Sequence, residues 1–586
     1  MADVDSFLPL AAEFPPATLD DWLTLAGDVD RLRTTTYDGI TIQPLYTAGD
    51  ELRAGQPGHF PFVRGRAAAG TRDGWDVRQL VDIGDGHGAA VTELERGATS
   101  IWLRLTGDDP VDESSLHAVL ADVLFDVAPV VLDAGHRWVE LAQALRSLWE
   151  RAPVDPASVA GSLGADPFGR WAVDRNDDRL ASDLTALTGE AWRFIADAPD
   201  VRLATIDATR FHHVGASDSE ELGVVLAVLV ATLRALTEGG IDVEAALASV
   251  ELRLASTVEQ FASIAKFRAA RKLLARVAEI AGVPTAAAQV PLHAVTSGAM
   301  ATRYDAAVNI VRSTVACFAA AVGGADAVTV LPHDTFVAAP PSELGRRLAR
   351  NTHAVLALES NVTRVIDAAG GSWYVERLTE QLAERAWDVF QEIESAGDFR
   401  RAVEVGTVDR LVTATHAARC ADVDHRRAPI VGVSVFPGTD RLPPTDDVDL
   451  GGPVPRWAGG FEALRMRVDR TAAQGAPRPA VFLARFGSPS ASAATAASAA
   501  AFFAIAGLDS VRGPSTIDVS AVVEVFAGSA TSVVCICAGG DVDQRGLDEL
   551  AEALAVAGAT LVYSADELTG DARATLTDLL DHLAVP

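Results

Sequence analysis

Residues 252–295 read LRLASTVEQFASIAKFRAARKLLARVAEIAGVPTAAAQVPLHAV. The stretch opens with a short apolar run, Leu252–Ala255, and closes with a second one, Val290–Val295. Between them, Val258–Ala281 carries apolar residues at spacings of three and four, which is the period of an amphipathic helix. The order of strand, helix and strand predicts two parallel strands joined by a helical crossover.

The same alternation of short apolar runs and helical patterns extends from Trp75 to Ser395. Further strands are predicted at Trp75–Val81, Ile101–Leu105, Val130–Leu132, Leu203–Ile206 and Val328–Leu331, and further helices at Ala306–Val322, Ser342–Leu358 and Glu376–Ile393. About eight such units in roughly 320 residues favour a closed (β/α)₈ TIM-type barrel. An open, doubly wound sheet is the alternative.

A second α/β domain is predicted after a Pro- and Gly-rich region between Pro437 and Pro479, which holds one short helix near Phe461–Arg470. Its predicted elements are strands Ala480–Ala484, Val533–Cys537 and Thr560–Tyr563, and helices Ala491–Gly507, Leu547–Ala557 and Gly570–Leu583. This pattern resembles a flavodoxin-like sheet. The predicted domains are an N-terminal arm (1–37), the barrel (38–400), a linker region (401–476) and the flavodoxin-like domain (477–586).

Composition excludes several classes of function. The formal net charge of −31 over 586 residues repels nucleic acid and anionic membranes, which bind clustered Lys and Arg. No apolar run approaches the ~20 residues of a membrane span, and the N-terminus lacks a basic targeting segment. Four cysteines cannot form a disulfide framework, so a cytoplasmic location is expected, and Cys535-x-Cys537 lacks the further ligands of a zinc site. No metal site is predicted; both thiols are expected to be buried in a strand.

A few polar residues are candidates for chemistry on pattern alone. His212 follows a predicted strand, at the barrel end where TIM-barrel enzymes place their active sites, but a structural role in a loop is the alternative. Thr296 and Ser297 end another strand and are expected either to contact an anionic substrate group or to cap the next helix. Lys266 and Arg271 are expected to form a solvated basic edge of their helix.

Several different short motifs follow one another over most of the chain. They are Pro61-Phe-Val-Arg64-Gly65, Trp75-x-x-Arg78-Gln79, Ala265-Lys266-x-Arg268-Ala-Ala-Arg271, His293-x-x-Thr296-Ser-Gly298, Asn309-Ile-Val-Arg312, Gly323-Gly324, Ala349-Arg-Asn-Thr352 and Gly370-Gly-Ser-Trp-Tyr-Val-Glu376. Together they resemble the cobalamin-dependent acyl-CoA mutase family, which joins a barrel to a cobalamin-binding domain. The resemblance implies isomerisation of (R)-methylmalonyl-CoA and succinyl-CoA with adenosylcobalamin, whose radical chemistry belongs to the cofactor.

The departures from this family lie where it binds substrate. A Thr-Met-Tyr run that contacts CoA is replaced by Ala69-Gly70-Thr71, and a Tyr beside the reacting radical is replaced by Leu80. The family's Tyr-His pair falls at Phe211-His212. Its Gln and His after the Gly-Gly pair fall at Asp326 and Thr329, and its ribose-binding Glu falls at Leu358. The resemblance therefore implies a vestigial pocket formed by Leu80, Phe211, His212, Thr329 and Leu358, with no catalytic residue.

The cofactor loop departs further. Family members that bind cobalamin carry Asp-x-His-x-x-Gly, in which the His coordinates cobalt, and the corresponding positions after Gly487 are Pro489, Ala491 and Ala494. The family's Ser-x-Leu element falls at Cys535 and Cys537. Losing the ligand, its orienting Asp and the loop Gly together predicts that this chain binds no cobalamin.

These departures predict a non-catalytic subunit of a heterodimer whose homologous, catalytic large subunit binds adenosylcobalamin and acyl-CoA. The alternatives are a catalytic mutase of altered substrate choice with His212 as proton donor, and a regulatory or chaperone module that recruits a G-protein-type repair factor. The apolar anchors of the N-terminal arm are too few to form a core, so the arm must dock either on this chain's barrel or on the partner, and docking on the partner is expected. These anchors are Phe7, Leu8, Phe14, Trp22, Leu23 and Leu25.

Overall fold

The computed structural model describes residues 17–585, apart from 53–54, 70–73, 106–112, 338–339, 443–453 and 541. The arm anchors Phe7, Leu8 and Phe14, the substituted element at Gly70-Thr71 and part of the predicted linker region lie outside these residues. Among the described helices, none has both the length and the hydropathy needed to cross a bilayer.

Eight parallel strands close into a barrel, which confirms the predicted TIM-type architecture. A short antiparallel hairpin of β1 (Thr34–Thr35) and β2 (Thr41–Ile42) precedes them. The barrel strands are β3 (Asp76–Asp82), β4 (Ser100–Arg104), β5 (Val130–Asp133), β6 (Gly161–Ala165), β7 (Val201–Asp207), β8 (Val250–Ser256), β9 (Leu292–Thr296) and β10 (Ala327–Thr329). Each strand pairs with the next in the chain, and β10 pairs with β3 to close the barrel.

Helices surround this barrel, and further helices follow its last strand in the chain. They are α1 (Leu19–Ala26), α2 (Ala89–Glu95), α3 (Glu113–Val119), α4 (Trp138–Arg151), α5 (Pro167–Asp174), α6 (Asp177–Asp197), α7 (Thr209–His213), α8 (Asp218–Glu238), α9 (Val243–Ala248), α10 (Gln260–Ile280), α11 (Val308–Val322), α12 (Glu343–Ala354), α13 (Trp373–Ser395), α14 (Phe399–Glu404) and α15 (Thr407–Asp424). The predicted helix Ser342–Leu358 ends sooner, because a π-helical turn, Val355–Glu359, follows α12.

Strand β6 was not predicted, because its sequence Gly-Ser-Leu-Gly-Ala lacks β-branched residues. Gly161 and Gly164 both have positive φ, 147° and 68°. A Cβ atom at Gly161 would collide with the carbonyl oxygen of Val130, and one at Gly164 with that of Leu132. The strand therefore depends on close backbone approach to β5, which glycine permits and a hydrophobic pattern does not reveal.

Successive residues of each barrel strand face two buried surfaces in turn, the apolar core under the helices and the interior of the barrel. Ile101 and Leu103 of β4, like Leu252 and Leu254 of β8, belong to the apolar core under the helices. The intervening positions point into the barrel and are mostly polar or aromatic. Because both faces of these strands are covered, even their charged side chains are buried.

The C-terminal domain is a four-stranded parallel sheet in the order β12-β11-β13-β14, formed by β11 (Ala480–Phe486), β12 (Asp509–Arg512), β13 (Val533–Ala538) and β14 (Leu561–Ser564). Its helices are α16 (Gly459–Ala473), α17 (Pro489–Ile505), α18 (Val519–Ala527), α19 (Gln544–Val556) and α20 (Ala572–His582). The order corresponds to the first four strands of a flavodoxin-like sheet. Neither β12 nor α18 was predicted; β12 is a half-exposed edge strand with no strong apolar pattern.

Helix α16 joins the C-terminal domain to the barrel through a buried polar cluster. Tyr304, in the loop between β9 and α11, donates a hydrogen bond to Asp469 of α16 at 2.7 Å. The guanidinium of Arg465 lies 4.1 Å from the centroid of the Tyr304 ring. Arg478 forms an ion pair with Asp469 as well. This loop follows a barrel strand at its carboxyl end, so α16 lies at that end of the barrel.

Candidate functional site

The centre of the barrel is crossed by an ion pair. Arg78 of β3 donates to both carboxylate oxygens of Glu251 on β8, at 2.9 and 2.8 Å, and both side chains are buried. Strands β3 and β8 are not neighbours in the sheet, so this pair spans the interior. A bidentate Arg–carboxylate pair is among the stronger polar contacts in proteins, and here it fills the axis of the barrel.

A second layer lies nearer the carboxyl ends of the strands, around Arg253. This side chain is 1% exposed, and its Nη1 donates to Asp133 of β5 and to Asp207 of β7, each at 3.1 Å. Its guanidinium lies 4.1 Å from the ring centroid of Trp102, whose indole N–H donates to Asp133 at 3.2 Å. Burial raises the pKa of Asp133, but Arg253 and three neighbouring arginines outweigh burial and hold that pKa below its ordinary value.

His293 connects the two layers in a neutral form. Its Nδ1 accepts from Nε of Arg253 at 3.2 Å, and its Nε2 lies 2.8 Å from Oγ1 of Thr329. Thr329 donates its hydroxyl hydrogen to the carbonyl of Arg78 at 2.8 Å, so Nε2 of His293 is the donor to Thr329. Burial, together with Arg78 and Arg253, lowers the pKa of His293 well below its ordinary value. The imidazole therefore serves the packing of the barrel.

His212 lies at the carboxyl ends of the barrel strands. It is on α7, after β7, as expected, and its Nε2 is 2.7 Å from Oγ of Ser297. Its Nδ1 lies 3.5 Å from the carboxylate of Glu221, and burial and Lys266 lower the pKa of His212 well below 6.5. Arg210 of the same helix lies 3.6 Å from Asp166, which follows β6. The sequence pattern did not single out Arg210.

The expectation of a solvated basic edge on α10 was wrong. Lys266 is fully buried, in ion pairs with Asp218 at 2.9 Å and with Glu221. Burial raises the pKa of Glu221 to about 7, in opposition to Lys266. Arg271 is buried too, paired with Asp326 at the amino end of β10. A helix buried on several sides carries its cations inward only where carboxylates neutralise them, and those carboxylates come from distant segments.

The five residues of the predicted vestigial pocket lie in different surroundings. Leu80 is half-buried on β3, opposite Trp102 on β4 in the strand register, and Thr329 belongs to the interior network. Phe211 packs edge to face against Phe399 of α14, with ring centroids 6.4 Å apart. Leu358 is 76% exposed in the π-helical turn.

Thr296 and Ser297 do not cap the next helix, since α11 begins only at Val308. Thr296 accepts a hydrogen bond from the backbone N–H of Leu331, and Ser297 contacts His212. Both are therefore occupied within the protein. Cys535 and Cys537 are buried free thiols in β13, as predicted.

The loop that would hold cobalamin is the first part of a helix. Helix α17 begins at Pro489, so Pro489, Ala491 and Ala494 lie in its first two turns and offer no ligand atom. The single histidine of residues 477–586 is His582 on α20, whose Nε2 lies 2.8 Å from Oγ1 of Thr560. Thr560 precedes β14 and so lies at the amino ends of the parallel strands, whereas the β11–α17 turn lies at their carboxyl ends. The residues of this domain therefore do not fit a cobalt-coordinating site.

No group of three or more His, Cys, Asp and Glu side chains in the described ranges is placed to hold a metal ion. Inside the barrel, the charged groups of the two layers are Arg78, Glu251, Arg253, Asp133 and Asp207, and each has an oppositely charged partner on another strand. Such an arrangement is suited to stabilising the closed barrel.

The family model for methylmalonyl-CoA mutase matches residues 111–475, which cover the barrel from α3 onward and α16. The chain belongs to this family. Its relatives include the methylmalonyl-CoA mutase small subunit of Streptomyces virginiae, which is 43% identical over 99% of both chains. The small subunit of Propionibacterium freudenreichii subsp. shermanii is 35% identical, over 99% of this chain and 95% of the relative.

A relative without that subunit designation is more distant than these two small subunits. The methylmalonyl-CoA mutase of Rhizobium meliloti is 28% identical, over 72% of this chain and 64% of the relative. The sequence identity to the two small subunits is thus higher than the identity to this mutase, and it extends over a larger share of this chain.

Proposed function

We propose that the chain is the non-catalytic small subunit of a heterodimeric methylmalonyl-CoA mutase. In this proposal the homologous large subunit binds adenosylcobalamin and interconverts (R)-methylmalonyl-CoA and succinyl-CoA in the cytoplasm, while this chain stabilises it. The observation that carries the proposal is the lack of a cobalt ligand at Pro489, Ala491 and Ala494. In the barrel, the Arg78–Glu251 pair and the Arg253–Trp102 layer fill the interior with side chains that partner one another.

The rest of the C-terminal domain agrees with this observation. The cofactor-loop positions are helical and carry Pro and Ala, and the one imidazole of residues 477–586 lies at the amino ends of the strands, away from that loop. A cobalt ligand cannot be supplied from either place. Two folded domains without chemistry are best explained by an interface, and the designation of both relatives as small subunits agrees with that explanation.

The proposal is tested by reconstitution. The large subunit encoded with this chain is purified with and without it, and mutase turnover and bound cobalamin are measured for each part and for the mixture. Turnover and cobalamin should be confined to preparations that contain the large subunit, and this chain should raise the stability of that subunit. Turnover by this chain alone would show instead that it is itself a catalytic mutase.

His212→Ala is expected to leave the turnover of the reconstituted complex within about threefold of wild type. The imidazole is buried, neutral and hydrogen-bonded to Ser297, so it is closed to solvent and already engaged within the chain. General acid–base groups contribute about 10²–10⁴-fold, so a loss of that size in kcat would assign chemistry to this chain. The comparison variant is Phe211→Ala, which alters the packing of the same helix without removing an imidazole.

A further inference from the structure

Trp457 lies over one side of the barrel mouth. Its backbone N–H donates to the carbonyl of Ala299, which follows β9, at 2.8 Å. Its ring centroid is 6.3 Å from that of His212, which follows β7. The residue therefore bridges the loops at the carboxyl ends of the two strands that flank β8.

The neighbours of Trp457 are held at the same end of the barrel. Arg456 donates to Glu462 of α16 at 2.8 Å and stacks on Phe336, which follows β10, at 4.8 Å. The backbone N–H of Arg303 donates to the other oxygen of Glu462. Residues 454–458 thus contact the segments that follow β7, β9 and β10, through side chains and backbone.

Arg419 of α15 is stacked between two aromatic rings. Its guanidinium lies 5.2 Å from the ring centroid of Trp457 and 4.7 Å from that of Tyr37, and its Nη1 donates to the carbonyl of Gly215 at 3.0 Å. Tyr37 belongs to the turn between β1 and β2 and donates to Asp422 at 3.1 Å. One side chain therefore connects the N-terminal hairpin, α15, the α7–α8 turn and Trp457.

We propose that residues 454–458 form a plug over the β7–β9 side of the barrel mouth, and that Arg419 is the clamp that couples this plug to the β1–β2 hairpin. Planar stacking on two rings requires a guanidinium, because an ammonium group is a compact point charge. The hairpin directly follows the N-terminal arm, so the stacked Arg419 side chain links the end of the arm to the barrel mouth.

Hydrogen–deuterium exchange of the full-length chain tests the proposal. Arg419→Ala should speed exchange in residues 208–216 and 297–301 by roughly tenfold, since the stack and the Gly215 bond are lost together. Tyr37→Ala removes the hairpin side of the stack, together with the bond to Asp422, and should speed exchange in the same two segments by a smaller factor. The matched control is Arg426→Ala, because Arg426 stacks on Phe502 at 5.1 Å and donates to the carbonyl of Leu568, away from the plug.

The control should leave both segments unchanged. The proposal is overturned if Arg419→Ala leaves exchange in both segments at the wild-type rate, or if Tyr37→Ala has no effect there. A uniform rise over the whole chain would overturn it as well. Should Arg419→Ala fail to fold, Arg419→Lys keeps the charge without the planar stack and must give the same local increase.

Discussion

Arg253→Ala should lower the free energy of unfolding of the barrel by about 3–5 kcal/mol, the usual cost of leaving a buried charge without its partner. The substitution leaves the carboxylates of Asp133 and Asp207, each 3.1 Å from the guanidinium in the wild type, without this cation. It also empties the space beneath Trp102. Urea unfolding followed by near-UV circular dichroism measures the effect, because Trp102 and the other buried aromatic residues report on tertiary packing.

Arg104→Ala is the matched control. Arg104 also ends a barrel strand in an ion pair, with Asp82, but that carboxylate is a quarter exposed and can be solvated. Its loss should cost about 1 kcal/mol. Replacing Arg253 with Met and both aspartates with Asn should recover much of the lost stability, because no charge is then left unpaired. Equal losses for Arg253→Ala and Arg104→Ala would contradict the filled interior.

The same network predicts a pH dependence. The pKa of Asp133 in the folded chain lies below its ordinary value of 3.8, so its contribution to stability is complete above that value and is lost as the pH falls through the folded pKa. In Arg253→Ala the carboxylate lacks its cation and gains from protonation. The difference in stability between wild type and variant should therefore narrow below about pH 4.

Deletion of residues 2–30 should weaken the pairing with the large subunit by on the order of 100-fold, because a few apolar anchors supply most of the energy of an interface. Helix α1 buries none of its residues against the described part of the chain, and Leu25 is 89% exposed. We expect an obligate interface of about 2,000 Å² or more that includes this arm. Analytical ultracentrifugation or surface plasmon resonance with the large subunit measures the change.

The truncated chain should keep its own barrel, since the hairpin that begins at Thr34 is retained and α1 has no buried residue to lose. Leu25→Ser tests the arm without deletion, and Leu344→Ser on α12, also more than half exposed, is its control. If the truncated chain pairs at full affinity, the interface lies elsewhere and the arm serves another purpose.

The barrel was predictable from sequence because its outward residues keep an apolar strand pattern. Leu252 and Leu254, for example, mark β8 even though Glu251 and Arg253 alternate with them. Glu251 and Arg253 also indicated the interior network, although no prediction used them. A charged side chain inside a buried strand must have a partner. Their partners Arg78, Asp133 and Asp207 lie on other strands, and only the register of the closed barrel brings them together.

The position of His212 after β7 was predictable for the same reason, whereas its environment was not. Whether a side chain of a short helix faces the barrel axis or a neighbouring helix depends on the helix orientation, which a five-residue segment does not encode by periodicity. Leu358 shows the same limit, because the π-helical turn that exposes it has no sequence signature. The cofactor loop, in contrast, could be assessed from sequence, since missing ligand types are visible without coordinates.

The most direct test of a non-catalytic role is a titration of the isolated chain with adenosylcobalamin, followed by the cobalamin absorbance of the protein after gel filtration and by calorimetry. We expect no stoichiometric binding at micromolar concentrations, because helix α17 begins where the coordinating loop would lie and His582 is held at the amino ends of the strands, away from that loop. The reconstituted complex, measured in parallel, should bind cofactor through its large subunit. Stoichiometric, micromolar binding by this chain alone would contradict the proposed role.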